Sequence, residues 1–189
     1  MKNISIILFA LILLAGCENS DEILNPNENF TYELIKLPKR SVTWTDSAFS
    51  LSQEIDGSVG GVMVMEKYYI SEDGDSVFVE AELTIPKGAF QGVRTISMTL
   101  DTQDATIHFY PEMIFDNELK FSQYFRGLNL DNYSTGTIDF YYITDDGSVE
   151  LIKKNGVQVI LPQGLLRVLN AKLHHFSRYG WIRKSSSSS

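Results

Sequence analysis

Residues 76–85 read SVFVEAELTI, the most regular alternation of apolar and other side chains in the chain. Successive side chains of a strand point to opposite faces, so the alternate residues of this stretch line one side. The apolar members are Val77, Val79, Ala81, Leu83 and Ile85. The pattern predicts a β-strand that turns this stripe towards a hydrophobic core.

Turn signals stand on both sides of this strand. Before it, Asp73-Gly74-Asp75 contains an Asp-Gly pair, a strong short-range hairpin signal. After it, Ile85-Pro86-Lys87-Gly88 has proline and glycine at the second and fourth positions of a type I turn. Further along, Asp145-Asp146-Gly147 predicts a second hairpin, and residues 57–61 (GSVGG) form a glycine-rich break.

Strand-length runs recur elsewhere, and no segment gives an amphipathic helix longer than about two turns. Residues 119–125 fit a strand or a short helix, and residues 162–169 have room for one helical turn. Many short strands with Gly and Pro turns predict an all-β sandwich or barrel and disfavour a parallel α/β sheet. The other predicted strands are residues 41–44, 48–55, 62–70, 93–100, 105–110, 137–144, 148–153, 157–161 and 169–182.

Composition and charge exclude several kinds of partner and site. The chain has 189 residues and a formal net charge of -8. An acidic surface repels phosphate backbones, so we expect no nucleic-acid binding. The only cysteine is Cys17, which excludes an intrachain disulfide and a thiolate metal cluster. No Walker loop, dinucleotide fingerprint, zinc spacing or triad order occurs, so no cofactor, metal or catalytic residue is predicted.

The N-terminus has the features of a targeting segment. Lys2 precedes an apolar run over residues 4–14, which is too short for a transmembrane helix and typical of a signal peptide. The run ends in Leu14-Ala15-Gly16-Cys17, which resembles the lipobox of bacterial lipoproteins. The resemblance implies cleavage between Gly16 and Cys17 and diacylglyceryl attachment to the cysteine sulfur; a plain secretory signal is the alternative.

The remaining boundaries follow from composition. Residues 1–16 are predicted to be the signal peptide, and the acidic, aperiodic residues 17–38 to be the lipidated cysteine and a flexible tether. The folded body is expected over 39–184 and a serine tail over 185–189. Ser20-Asp21-Glu22 resembles the acidic surface-export signal of some Gram-negative lipoproteins, with ordinary tether composition as the alternative.

Several fragments of the body together resemble a known family. They are GSVGG (57–61), LTIPKGAF (83–90), TISMTL (95–100), FYPEMIF (109–115), FYYITDDGSVELI (140–152) and LHHFSRY (173–179). Their order is similar to the ZU-five-like domains of bacterial secreted proteins and lipoproteins, which are related to domains of ankyrins and netrin receptors. The resemblance implies an antiparallel β-sandwich for protein contacts, not an enzyme fold.

The resemblance also marks positions of this chain, here called the signature residues. They are Gly60, Gly61, Pro86, Gly88, His175, Phe176 and Tyr179. Two departures affect local geometry more than the fold. A full hairpin over residues 62–84 separates the Gly-Gly and Ile-Pro elements, and the second proline expected near Phe115 is missing.

His174 and His175 are the most conspicuous candidates for chemistry. On a single strand, the two rings point to opposite faces, so as neighbours they cannot chelate one metal ion. The same alternation puts Phe176, Arg178 and Gly180 on the face of His174, and Ser177, Tyr179 and Trp181 on the face of His175. Ser177 lacks a nucleophile-elbow context, so packing is the expected role of this segment.

Two further chemistries stay open. Asp73-Gly74-Asp75 and Asp145-Asp146-Gly147 offer oxygen ligands for calcium, although neither has EF-hand spacing and each serves as a turn. The aromatic pairs Tyr68-Tyr69 and Tyr141-Tyr142, with Trp44 and Trp181, suggest a sugar-stacking face, although strand aromatics usually pack against each other.

The sequence therefore predicts a lipid-anchored, non-catalytic interaction or structural module of the cell envelope. The outer membrane is the expected location, on either the periplasmic or the surface-exposed side, and the membrane is contacted through Cys17. The partner is an unknown protein or glycan. The alternative is a glycan-binding lipoprotein of an outer-membrane uptake system, and an enzyme is the less favoured reading.

Overall fold

The computed structural model describes residues 30–41 and 49–186. Within them the strands are, in chain order, β1 Phe30–Leu34, β2 Phe49–Asp56, β3 Gly61–Ile70, β4 Ser76–Ile85, β5 Val93–Leu100, β6 Thr106–Tyr110, β7 Ile114–Arg126, β8 Ile138–Ile143, β9 Val149–Leu151, β10 Gly156–Ile160, β11 Leu165–His175 and β12 Arg178–Ser186. The helical segments of this part are two 3₁₀ turns, Thr135–Thr137 and Leu161–Gln163. No helix among these residues is long and apolar enough to cross a membrane.

The strands form two antiparallel sheets. The β12 sheet has the order β2-β5-β6-β12-β8-β9, and β1 also pairs with β12. The β4 sheet has the order β10-β11-β7-β4-β3. The strands of the described part pair in antiparallel fashion, for example β3 with β4 and β5 with β6. The all-β, sandwich-like class predicted from the sequence is confirmed.

The opening stretch of sequence becomes β4, near the middle of its sheet. Its alternate residues from Val77 to Ile85 are buried, as the sequence predicts. The hairpin signal at Asp73-Gly74-Asp75 joins β3 to β4 in register, with Ile70 opposite Ser76. The second hairpin signal joins β8 to β9 in the same way, with Ile143 opposite Val149.

The core lies between the two sheets and is rich in aromatic rings. Phe109 of β6 meets Phe121 of β7 with ring centroids 5.2 Å apart, which joins one sheet to the other. Trp181 of β12 donates from Nε1 to Oε1 of the buried Gln123 on β7, at 3.0 Å. This bond satisfies the indole N–H in an otherwise apolar interior.

The first described strand already begins at Phe30, so the folded body includes residues before the predicted boundary at residue 39. β1 pairs with β12 from Phe30 to Leu34, and Ile35 and Leu37 behind it are buried in the core. β12 in turn continues to Ser186, inside the predicted serine tail. Backbone pairing joins β1 to β12, whose residues are far apart in the sequence. The amino-acid composition of a segment carries no information about such long-range pairing. Residues 1–29, 42–48 and 187–189 lie outside the described residues, and with them the predictions for Gly16, Cys17 and Trp44.

Residues 169–182, predicted as one strand, belong to two strands in different sheets. β11 ends at His175 and β12 begins at Arg178, so a two-residue corner separates them. At this corner the Phe176 N–H donates to the Met113 carbonyl at 2.9 Å. Because the corner interrupts the strand, the predicted alternation fails: Phe176 and Tyr179 are both buried in the same core.

Other uncertain segments are also resolved. Residues 119–125 are strand and lie inside β7. The predicted helical turn near residue 162 is the 3₁₀ turn Leu161–Gln163, and β11 follows it directly. The predicted strand over 41–44 lies outside the described residues except for Ser41, whose N–H donates to the Ile70 carbonyl at 3.0 Å.

Tyr69 predicts how stability depends on alkaline pH. Its hydroxyl donates to the Pro38 carbonyl at 3.1 Å, and burial, opposed by the Arg40 charge, raises its pKa to about 12. An unfolded tyrosine ionises near pH 10, so the unfolded state releases its proton first. We expect the contribution of Tyr69 to the unfolding free energy to be full below about pH 10 and to fall as the pH approaches about 12.

Urea unfolding at pH 9 and pH 11.5 measures this loss. The variant Tyr69→Phe keeps the ring and has no proton to release, so its stability should decline less between the two pH values. An equal decline in both proteins would show that Tyr69 is not responsible.

Candidate functional site

The signature glycines and proline meet at one place in the fold. The Gly88 N–H donates to the Gly57 carbonyl at 2.7 Å, which ties the turn after β4 to the loop after β2. Gly60 has a φ of +82° there, and a Cβ on it would lie 2.4 Å from the Ile85 carbonyl oxygen. Gly61 starts β3, and Pro86 follows β4 directly. The GSVGG and LTIPKGAF fragments therefore pack against each other. This contact fixes the conformation of the loop after β2 and of the turn after β4.

The other signature residues hold the corner between β11 and β12. The buried Tyr179 hydroxyl donates to the His175 carbonyl at 2.7 Å, and burial raises the pKa of Tyr179 above its ordinary value. The His175 ring packs edge-on against the Tyr142 ring, with centroids 4.6 Å apart. Phe176 stacks on Phe109 inside the core, with centroids 5.2 Å apart. These contacts give the segment a packing role.

The two histidines are separated, as strand alternation predicts. His174 is exposed, with its Nε2 3.2 Å from Oε1 of Glu118, whereas His175 is half-buried against Tyr142. Over residues 30–41 and 49–186, no three His, Cys, Asp or Glu residues form a group that could hold a metal ion.

Two adjoining clefts of about 250 and 310 Å³ lie beside the corner and share Glu112, Asp145 and Ser177. His108 and Arg178 line the first of them. Burial and the Arg178 charge lower the pKa of His108, which favours its neutral form. Positively and negatively charged side chains thus lie close together at the corner, where they can form hydrogen bonds with a polar ligand.

Local hydrogen bonds close both acidic turns. In the β8–β9 turn, Oδ1 of Asp146 accepts hydrogen bonds from the Thr144 hydroxyl and, at 2.9 Å, from the Ser148 N–H. These bonds, that from the Thr144 side chain first, lower the pKa of Asp146. In the β3–β4 turn, the Asp75 N–H donates to the Ser71 hydroxyl at 3.0 Å. The carboxylate of Asp146 stabilises a hairpin.

The predicted sugar-stacking residues do not share a face. Tyr69 and Trp181 are buried in the core. Tyr68 points outward from the β4 sheet and is 49% exposed. Tyr141 lies on the other sheet, where it meets Tyr32 edge-on with centroids 6.1 Å apart. In the Tyr68-Tyr69 pair one ring thus points out and the other in, as alternation along a strand requires.

The structure assembles a different aromatic surface, here called the aromatic strip: Tyr68, Phe78 and Tyr124. These residues come from the adjacent strands β3, β4 and β7, on the outer face of the β4 sheet. Tyr68 is directly opposite Phe78, and the Phe78 and Tyr124 rings have centroids 6.0 Å apart. One feature of the sequence could have indicated this surface: Phe78 is an aromatic residue on the outward-facing side of β4.

A groove of about 560 Å³ runs along one end of the strip. Its lining residues are Tyr68, Ser76, Phe78, Arg126, Gly127, Pro162 and Gln163. Tyr68 is fixed in place, because its hydroxyl and that of Ser76 are hydrogen-bonded at 2.7 Å. The groove combines an aromatic floor with polar groups at its rim, a composition typical of small-ligand sites.

Comparison with known proteins returns no match. No protein-family model, no curated protein and no solved structure matches the chain. The resemblance to ZU-five-like domains therefore stays a prediction.

Proposed function

We propose that this protein is a lipid-anchored, non-catalytic binding module of the cell envelope, with a ZU-five-like β-sandwich as its folded body. The lipobox at Leu14-Ala15-Gly16-Cys17 supports the anchor. Two acyl chains or more on Cys17 hold a protein stably at a membrane. The order of the GSVGG, IPKGA and HHFSRY fragments supports the family assignment.

One observation carries the non-catalytic part: the tyrosine and both histidines of the HHFSRY segment make their contacts within the fold. The Tyr179 hydroxyl is committed to the His175 carbonyl, the His175 ring to Tyr142, and the His174 ring to Glu118 on the surface. Groups held in this way support a corner of the sandwich. We therefore place ligand binding on the exposed surfaces of the sandwich.

The anchor and the sandwich lie close together along the chain. Since the first strand begins at Phe30, even a fully extended chain from Cys17 spans at most about 45 Å. The module would therefore work near the membrane surface, within reach of ligands in the envelope.

Metabolic labelling with a palmitate analogue tests the anchor. We expect the wild type to be labelled and to sediment with membranes, and Cys17→Ala to lose the label and to enter the soluble fraction. The matched control is Ser20→Ala, a small polar change three positions away, which should be labelled like the wild type. Equal labelling of the wild type and Cys17→Ala would refute lipidation.

A second candidate function, glycan binding, is favoured by the aromatic strip. Large aromatic side chains at the surface of a sheet, fixed by hydrogen bonds and next to a groove, are suited to stacking against the apolar face of a sugar ring. This is the alternative that the tyrosine pairs of the sequence suggested, carried by a different set of residues.

A further inference from the structure

We propose that the aromatic strip, with the groove beside it, is a binding site for a neutral glycan. The inference rests on the proposed binding function and names its surface and its class of ligand. It concerns Tyr68, Phe78 and Tyr124 and the charged residues around them, not the corner between β11 and β12.

The strip runs obliquely across three strands: Tyr68 is directly opposite Phe78, whereas Tyr124 lies two residues along β7 from Arg126, the partner of Phe78. Tyr68, Phe78 and Tyr124 each come from a different neighbouring strand, so the three rings form a row across the face. The ring centroids of Phe78 and Tyr124 lie 6.0 Å apart. The Phe78 and Tyr124 planes are inclined by 59°, which makes the row a shallow trough. An extended glycan can lie along it with a ring face on each aromatic residue.

The strip is rigid before any ligand binds. Tyr68 would otherwise be a mobile surface side chain, but its hydroxyl is bonded to that of Ser76. Phe78 is half-buried between Tyr68 and Tyr124. A surface that is ordered in advance loses less conformational entropy on binding.

The charged groups around the strip favour a ligand without net charge. Arg126 is opposite Phe78, and Glu80 is opposite Tyr124. Glu66 is opposite Glu80, and Arg167 is opposite Tyr124 on its other side. These four groups, together with Glu82 in the cleft beside Tyr124, surround the strip with three carboxylates and two guanidinium groups, an excess of negative charge that disfavours an acidic ligand.

The same four groups can hydrogen-bond the hydroxyls of a sugar. Among the described residues, Glu66, Glu80, Arg126 and Arg167 take part in no ion pair with each other or with a neighbour. Carboxylates accept and guanidinium groups donate, so both kinds of partner that a hydroxyl needs are available. Glu66 and Glu80 also face each other directly, an arrangement that is unfavourable for the sheet alone and that hydrogen bonds from a glycan would relieve.

Binding to an array of oligosaccharides tests the proposal. The full chain, purified in detergent, is applied to neutral oligosaccharides of varied linkage printed beside uronic-acid-containing and sialylated ones. We expect binding to neutral members, and the dissociation constant for Phe78→Ala to rise about tenfold or more, since a stacked ring is lost. Tyr68→Phe keeps the ring and should bind within a few-fold of the wild type.

Tyr32→Ala is the matched control, because Tyr32 is a similarly exposed tyrosine, at 45%, on the other sheet. Circular dichroism of each variant confirms folding. Binding that is lost in Phe78→Ala and kept in Tyr32→Ala supports the site. Selective binding to the acidic oligosaccharides, no binding to the neutral ones, or dimerisation abolished by Tyr68→Ala would each overturn it. Lipid labelling of Cys17 is measured separately, so a failure here leaves the anchoring proposal intact.

Discussion

Trp181→Ala is expected to lower the free energy of unfolding by about 3–5 kcal/mol, the usual cost of truncating a buried aromatic side chain. Trp181 is fully buried, and its ring meets Phe140 edge-on with centroids 5.5 Å apart. Alanine would leave a cavity between the sheets and remove the donor to Gln123. Since a domain is stable by about 5–15 kcal/mol, this one change would threaten folding at physiological temperature.

Urea unfolding followed by far-UV circular dichroism measures the loss. Trp181→Phe is the informative partner variant, because it retains most of the ring and loses only the N–H. It should be less destabilised than Trp181→Ala, although Oε1 of Gln123 would still lack a donor, which costs about 1–3 kcal/mol. If Trp181→Ala unfolded within about 1 kcal/mol of the wild type, Trp181 would not be a main element of the core.

Gly60→Ala is expected to destabilise the protein by about 2–5 kcal/mol, from backbone strain and a forced shift of the neighbouring chain. Gly60 has a φ of +82°, which disfavours any residue with a Cβ. The added atom would lie 2.4 Å from the Ile85 carbonyl oxygen and 2.8 Å from the Pro86 carbonyl carbon. Both obstacles are backbone, so no side-chain rotation relieves the contact.

Gly74→Ala separates the two causes. Gly74 has a φ of +87° in the β3–β4 turn, but a Cβ there would meet no described atom within 4 Å. Only the strain of the backbone conformation remains, about 1–2 kcal/mol. Thermal unfolding of both variants should therefore rank Gly60→Ala well below Gly74→Ala. The reverse ranking would mean that the loop after β2 does not pack tightly against the turn after β4.

Local patterns predicted those parts of the fold that are encoded locally. The alternation of residues 76–85 predicted β4 and its buried stripe, and two Asp-Gly pairs predicted hairpins that the structure contains. Each signal depends on the geometry of a few adjacent residues, such as the two-residue period of a strand. The prediction of β4 and of the two hairpins therefore required no knowledge of the tertiary structure.

The candidate site was only partly predictable. Strand alternation requires that Tyr68 and Tyr69 point to opposite faces, and the structure places Tyr68 outside and Tyr69 inside. Phe78 could be placed beside Tyr68 through the predicted β3–β4 hairpin, but Tyr124 could not be joined to them, because the pairing of β7 with β4 is decided by the topology of the sheet. No sequence period relates positions in strands separated by long connections.

By itself, the sequence determined the all-β class, the turns and the stripe of β4, since strand alternation and turn geometry act over a few residues. Only the tertiary structure decided that the chain from Phe30 to Leu34 belongs to the folded body, and that His175 and Arg178 stand in different sheets. Both results depend on pairing between residues far apart in sequence. Such pairing contributes hydrogen bonds and buried area that no local pattern records.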